Sequence, residues 1–211
     1  MKILFYGDSI TDMGRDREEN TPAFSYGVGY PLFVAGTLYS ENANEYKLVN
    51  RGISGNRVVD LYARIKQDVW NHAPDVWSIL IGVNDVWHEI EHNNGVDIER
   101  WENIYRLMIQ ETKERFPNMK IIVCEPFVLE GPSTCGEERF KKFLEIKKYA
   151  QVAKRIAEDN GLYFLPLQER FDKAAKTQDA TYYLYDGVHP APAGAKLIAD
   201  AWLELFKTEV L

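Results

Sequence analysis

Five short apolar segments, each followed by a stretch with helical spacing, set the strongest limit on how this chain folds. They are Lys2–Tyr6, Lys47–Asn50, Val76–Ile81, Lys120–Cys124 and Tyr163–Pro166. Each is apolar at most positions instead of at every second one, the pattern of strands covered on both faces. Helical spacing follows at 30–39, 58–71 (Val59, Tyr62, Ile65, Val69), 98–116 (Trp101, Ile104, Tyr105, Met108, Ile109), 139–160 and 191–206 (Leu197, Ile198, Ala201, Leu205). Gly161 ends the fourth of these. Strand–helix alternation of this kind predicts an α/β fold, a parallel sheet with helices on both sides. Five strands suit a flavodoxin-like order, and no G-x-G-x-x-G follows any strand to suggest a dinucleotide site. No repeat, low-complexity tract or linker divides the 211 residues, so a single domain over 1–211 is expected.

Composition narrows the function classes. Hydrophobic residues at 45% and charged residues at 27% fit a globular chain with a sizeable core. The net charge of −7 opposes binding to phosphate backbones and anionic lipid, so neither nucleic acid nor membrane is an expected partner. The apolar run at 3–6 is too short for a signal-peptide core, and no stretch reaches membrane-span length. Cys124 and Cys135 do not make a disulfide framework. Both are read as structural, in a reduced, cytoplasmic protein. The apolar C-terminal stretch LELFKTEVL packs either within the chain or in a homo-oligomer.

In open parallel sheets, ligands bind beyond the carboxyl ends of the strands. The segments there are Gly7-Asp8-Ser9, Gly52-Ile53-Ser54-Gly55-Asn56, Gly82-Val83-Asn84-Asp85 and Glu125-Pro126-Phe127, with Asp186-Gly187-Val188-His189-Pro190 later. A serine hydroxyl is a weak nucleophile until a base takes its proton, and the usual base is a histidine oriented by a carboxylate. Of the four histidines, only His189 has an acid at a suggestive spacing, Asp186, three residues earlier. Ser9 follows a strand directly, where a strand-to-helix turn aims free backbone N–H groups at one point. Taken alone, each segment is also a plain turn or helix cap.

Residues 88–92, HEIEH, match the H-E-x-x-H pattern of zinc proteases. That reading needs a continuous helix through His88 and His92 and a third ligand. Asn93-Asn94-Gly95 follows as a breaker cluster, and the expectation is a short, charged, solvated turn. A non-catalytic binding module on the same sheet is a third alternative; it needs no aligned serine, histidine and acid.

With these residues in view, the chain resembles the SGNH, or GDSL, hydrolase family along nearly its whole length. Four motif blocks occur in order: GDSIT, NRGISGN, IGVND and DGVHP. The resemblance implies a three-layer α/β/α sandwich and a serine esterase without cofactor or metal. It implies Ser9 as nucleophile, Asp186 and His189 as acid and base, and Ser9, Gly55 and Asn84 as the oxyanion hole. NRGISGN, IGVNDVW and PFVLEG are most similar to the carbohydrate acetylesterase branch, which acts on acetylated, xylan-type sugars; arylesterase, thioesterase and lysophospholipase activities are the alternatives within the family. Aromatic faces suit sugar rings. Tyr26, Tyr30, Trp87, Phe127, Tyr182, Tyr183 and Tyr185 lie near the motifs, and Asp8, Tyr30, Trp87, Phe127 and Tyr185 are the candidate substrate-pocket residues.

Overall fold

The computed structural model describes residues 1–18, 23–42 and 44–211. Five strands form one sheet: β1 (Lys2–Gly7), β2 (Lys47–Gly52), β3 (Val76–Leu80), β4 (Lys120–Cys124) and β5 (Tyr163–Leu165). All neighbours are parallel, in the order β2-β1-β3-β4-β5. This is the expected flavodoxin-like arrangement. Each strand is near its predicted bounds; β2 runs two residues further, to Gly52, and β3 one residue less.

The helices are α1 (Ser9–Asp12), α2 (Tyr30–Glu41), α3 (Val58–Ile65), α4 (Val83–His92), α5 (Ile98–Arg115), α6 (Glu137–Phe143), α7 (Ile146–Asn160), α8 (Gln168–Ala174), α9 (Ala180–Tyr183) and α10 (Pro192–Leu205). α2 packs with α10, whereas α3, α5 and α7 pack together, so the sheet is covered on both sides. Successive residues of β1 serve the two layers, as the period of a strand requires. Phe5 meets Tyr30 edge-on and Trp202 at 5.3 Å. Tyr6 meets Trp77, and its hydroxyl donates to the Leu61 carbonyl at 2.6 Å in α3. The Trp202 indole donates to Ser78 Oγ at 3.0 Å.

Three expectations need correction. The segment 139–160 is not one helix: α6 ends at Phe143, which is buried, and α7 starts afresh at Ile146. The helix expected over 58–71 changes to a π-helical turn at Lys66–Trp70. HEIEH is not a solvated turn but the last part of α4, which Asn93 stops in the left-handed conformation. Val83, Val86, Trp87 and Ile90 carry the signal for that helix, an apolar stripe at helical spacing. The C-terminal stretch packs within the chain: Leu205, Phe206 and Val210 are buried, and Phe206 stacks on Trp202. Among the described residues, no helix is long and apolar enough to cross a membrane.

Candidate active site

β1 and β3 are neighbours, while β2 lies on the far side of β1. The chain order reverses at that point, so the loops after β1 and β3 diverge and leave a crevice at their carboxyl ends. Ser9 is the first residue after the β1 turn and Asn84 the second residue of α4 after β3. The topology therefore brings two of the expected residues to one place before any side chain is considered.

Asp8 caps α1: its Oδ1 accepts from the Ile10 N–H at 2.9 Å. The cap fixes a helix of one turn, with Ser9 at its start and its N–H among the donors that lack an intrahelical partner. Ser9 Oγ lies 2.8 Å from His189 Nε2. His189 Nδ1 lies 2.7 Å from Asp186 Oδ2, and Asp186 Oδ1 accepts the N–H groups of Val188 and His189 at 2.9 and 2.8 Å. One carboxylate thus ties both the imidazole and the backbone that carries it. The Asp186–His189 segment is a turn, closed by an antiparallel bridge between Leu184 and Pro190.

Burial alone would lower the His189 pKa; the hydrogen bond and charge of Asp186, with a contribution from Asp8, raise it above the ordinary value. Burial likewise works to raise Asp186, and its bonds to His189 and Val188 outweigh that and hold its carboxyl below the usual range. The pair is therefore built to favour an imidazolium beside a carboxylate.

Gly55 is the third residue of a turn closed by the Asn56 N–H on the Ile53 carbonyl at 3.2 Å. Its φ of +83° is the type II value, which a side chain would strain. Asn84 Nδ2 donates to the Asn56 carbonyl at 3.1 Å. An amide nitrogen carries two protons, so one N–H ties the turn and the other stays available. The Val58 N–H donates to Asp85 Oδ1 at 3.0 Å, a second tie between α4 and the Gly55 loop. Burial raises the Asp85 carboxyl well above the ordinary range and pushes Asp8 up to about 7.

The candidate pocket residues divide. Tyr185 stacks on the His189 ring at 5.7 Å and 15°, and is 51% exposed. Trp87 meets the same ring at 5.8 Å and 50°. Asp8, Tyr30 and Phe127 are instead buried and offer a substrate no surface. Asp8 gives its Oδ1 to the cap, Tyr30 packs on Phe5 with its hydroxyl 3.2 Å from Thr11 Oγ1, and Phe127 packs on Phe171. The loop after β4 has a role that the sequence does not reveal. Ser133 N–H donates to the Asp186 carbonyl and Leu129 N–H to the Gly187 carbonyl, each at 2.9 Å, so PFVLEG and its sequel brace the histidine turn.

His88 and His92 lie on one face of α4 with rings 5.8 Å apart. Among the described residues no third histidine, cysteine, aspartate or glutamate joins them in a metal-ligating group. The helix that the zinc reading needs is present, and among the described residues its third ligand is not. Cys124 is buried, which pushes its thiol up to about 12, and Cys135 is exposed; both are free.

Residues 5–197 match the model of the GDSL-like lipase/acylhydrolase family. The chain is 38% identical to an acetylxylan esterase of Geobacillus stearothermophilus, over 96% of this chain and 92% of that one. A crystal structure of that organism's acetylxylan esterase superposes with a TM-score of 0.87 at 36% identity, over 99% of this chain and 94% of the other. A Parabacteroides merdae protein described as a GDSL-like lipase superposes with a TM-score of 0.90 at 41% identity, over 96% and 94% of the two chains. Fold, matched length and identity agree: the chain belongs to the GDSL-like lipase/acylhydrolase family and is a carboxylic ester hydrolase.

Proposed function

We propose that this protein removes acetyl groups from acetylated sugars of the xylo-oligosaccharide type, with Ser9, His189 and Asp186 as its catalytic triad. The observation that carries this reading is the 2.8 Å approach of Ser9 Oγ to His189 Nε2, with Asp186 at 2.7 Å behind the ring. His189 takes the Ser9 proton as the oxygen adds to the ester carbonyl. The oxyanion receives the N–H groups of Ser9 and Gly55 and the second N–H of Asn84. The imidazolium, held by Asp186, gives its proton to the departing sugar oxygen and leaves an acetyl-serine. Water, deprotonated by His189, then adds to the acetyl carbon; collapse returns the proton to Ser9 and releases acetate.

Three findings support the roles and the substrate class. Catalytic mutants of the Geobacillus acetylxylan esterase replace a serine, an aspartate and a histidine, with the last two three positions apart as here. The serine-to-aspartate separation along the chain is almost the same in the two proteins. Finally, Tyr185 and Trp87 present aromatic surface beside His189, the type of surface that sugar rings pack on. A panel of acetylated xylo-oligosaccharides, p-nitrophenyl acetate and longer acyl esters tests the assignment. The expected result is preference for the acetylated sugars; a preference for long acyl chains replaces it with a lipase-type or lysophospholipase reading.

A further inference from the structure

The turn that carries Gly55 is tethered to the helix that carries Ser9. Asp12 closes α1, and its carboxylate is buried. Its Oδ2 accepts from Ser54 twice, from the backbone N–H at 2.9 Å and from Oγ at 3.2 Å, and from Arg17 Nη2 at 2.6 Å. Its Oδ1 accepts from the Arg15 N–H at 3.1 Å. Arg15 in turn donates from Nε to the Gly52 carbonyl at 2.8 Å, at the base of the same loop. A Cβ on Gly52 would fall 2.3 Å from the Asp12 backbone nitrogen, so loop and helix are in direct backbone contact. Burial works against an ionised Asp12, yet the bonds from Arg17 and Ser54 hold its pKa below the ordinary carboxylate range.

We infer that Asp12 is a positioning residue for ester hydrolysis: through Ser54 it sets the Gly55 N–H in register with the Ser9 hydroxyl. The inference rests on the oxyanion roles proposed above for Gly55 and Asn84. Ser54 and Gly55 are the two central residues of the turn. Asp12 pins the peptide that enters Ser54. The next peptide, which bears the Gly55 N–H, then takes the orientation that φ +83° at Gly55 dictates. The tether starts three residues after Ser9, on the same helical turn. Nucleophile and donor therefore move as one unit, and donor placement within a fraction of an ångström is what makes an oxyanion site effective.

The test is p-nitrophenyl acetate kinetics on Asp12→Ala, Asp12→Asn, Ser54→Pro and Asn84→Ala, with the thermal midpoint of each. Asp12→Ala is expected to lower kcat by about 10- to 100-fold, less than the roughly 100- to 1000-fold loss on deleting a donor outright, with KM changed about threefold or less. Asp12→Asn keeps an acceptor oxygen and is expected to recover most of that loss. Proline suits the second position of a type II turn but has no N–H and no hydroxyl. Ser54→Pro thus keeps the turn and cuts both bonds to Asp12, and kcat is expected to fall as in Asp12→Ala. Because Ser54 is exposed, this variant also reports if Asp12→Ala fails to fold. Wild-type kcat in Ser54→Pro, or no recovery in Asp12→Asn, overturns the role of Asp12. Asn84→Ala separates the two levels: full activity there removes the oxyanion reading itself, whereas a loss in Asn84→Ala beside wild-type kcat in the Asp12 and Ser54 variants removes only this inference.

Discussion

Helix α4 contributes to two unlike places. At one, Asn84 ties the Gly55 turn and Trp87 meets the ring of His189, whose Nε2 faces Ser9. At the other, Asp85, Glu89, Ile90, Arg100, Lys141 and Tyr149 line a cleft of about 900 Å3 that includes none of the expected catalytic residues. The cleft has mixed charge. The Ser9–His189 region has a hydroxyl, an imidazole and a carboxylate in hydrogen-bonded series. The proposed chemistry follows the direction in which a few polar groups point, not the volume of the cleft.

The largest effect that bears on this contrast is loss of the proposed nucleophile. Ser9→Ala is expected to lower kcat by about 10^4-fold or more, with the fold intact by circular dichroism; substantial residual turnover in that variant would move the chemistry elsewhere. Asn84→Ala follows, with a loss of about 100- to 1000-fold, read as kcat with KM little changed. Next comes pH. His189 must be neutral to accept a proton, and its pKa is raised. The acid limb of kcat/KM is therefore expected to have its midpoint above the unperturbed histidine value of about 6.5 and to fall about tenfold per pH unit below it; a midpoint at lower pH contradicts the Asp186 pairing. Tyr185→Ala removes an aromatic partner of the imidazole and is expected to raise KM for an acetylated xylo-oligosaccharide by about 3- to 10-fold, the scale of about 1 kcal/mol for one aromatic contact. The smallest effect belongs to the cleft: Lys141→Ala and Glu89→Ala are expected to leave kcat/KM within about twofold and stability within about 0.5 kcal/mol. A large loss there would erase the distinction between the cleft and the Ser9–His189 region.

Sheet and strand order are legible in the sequence because strands buried on both faces must be apolar nearly throughout, as in KILFY and VWSIL. The same logic places Ser9 and Asn84 just beyond strand ends, whereas His189 stands out by its three-residue spacing from Asp186. The α4 helix is hidden by its own polar surface: Glu89, Glu91 and His92 dominate the reading, and the Val83, Val86, Trp87, Ile90 stripe is easily passed over. Sequence adjacency to a motif says little about which way a ring points. Tyr30 and Phe127 flank motif residues yet turn into the core, whereas Tyr185 turns outward onto His189. The brace from Ser133 and Leu129 is invisible for another reason. It is made by backbone groups, and these carry no residue-type signature.

The hydroxyl and the imidazole that meet at 2.8 Å are 180 positions apart. Synthesis therefore delivers the proposed nucleophile 180 residues ahead of its proposed base. Ester turnover through these two groups would thus double as a report that a contact of long sequence separation has closed. A fragment that stops short of Asp186 is expected to be hydrolytically silent however well its sheet has formed.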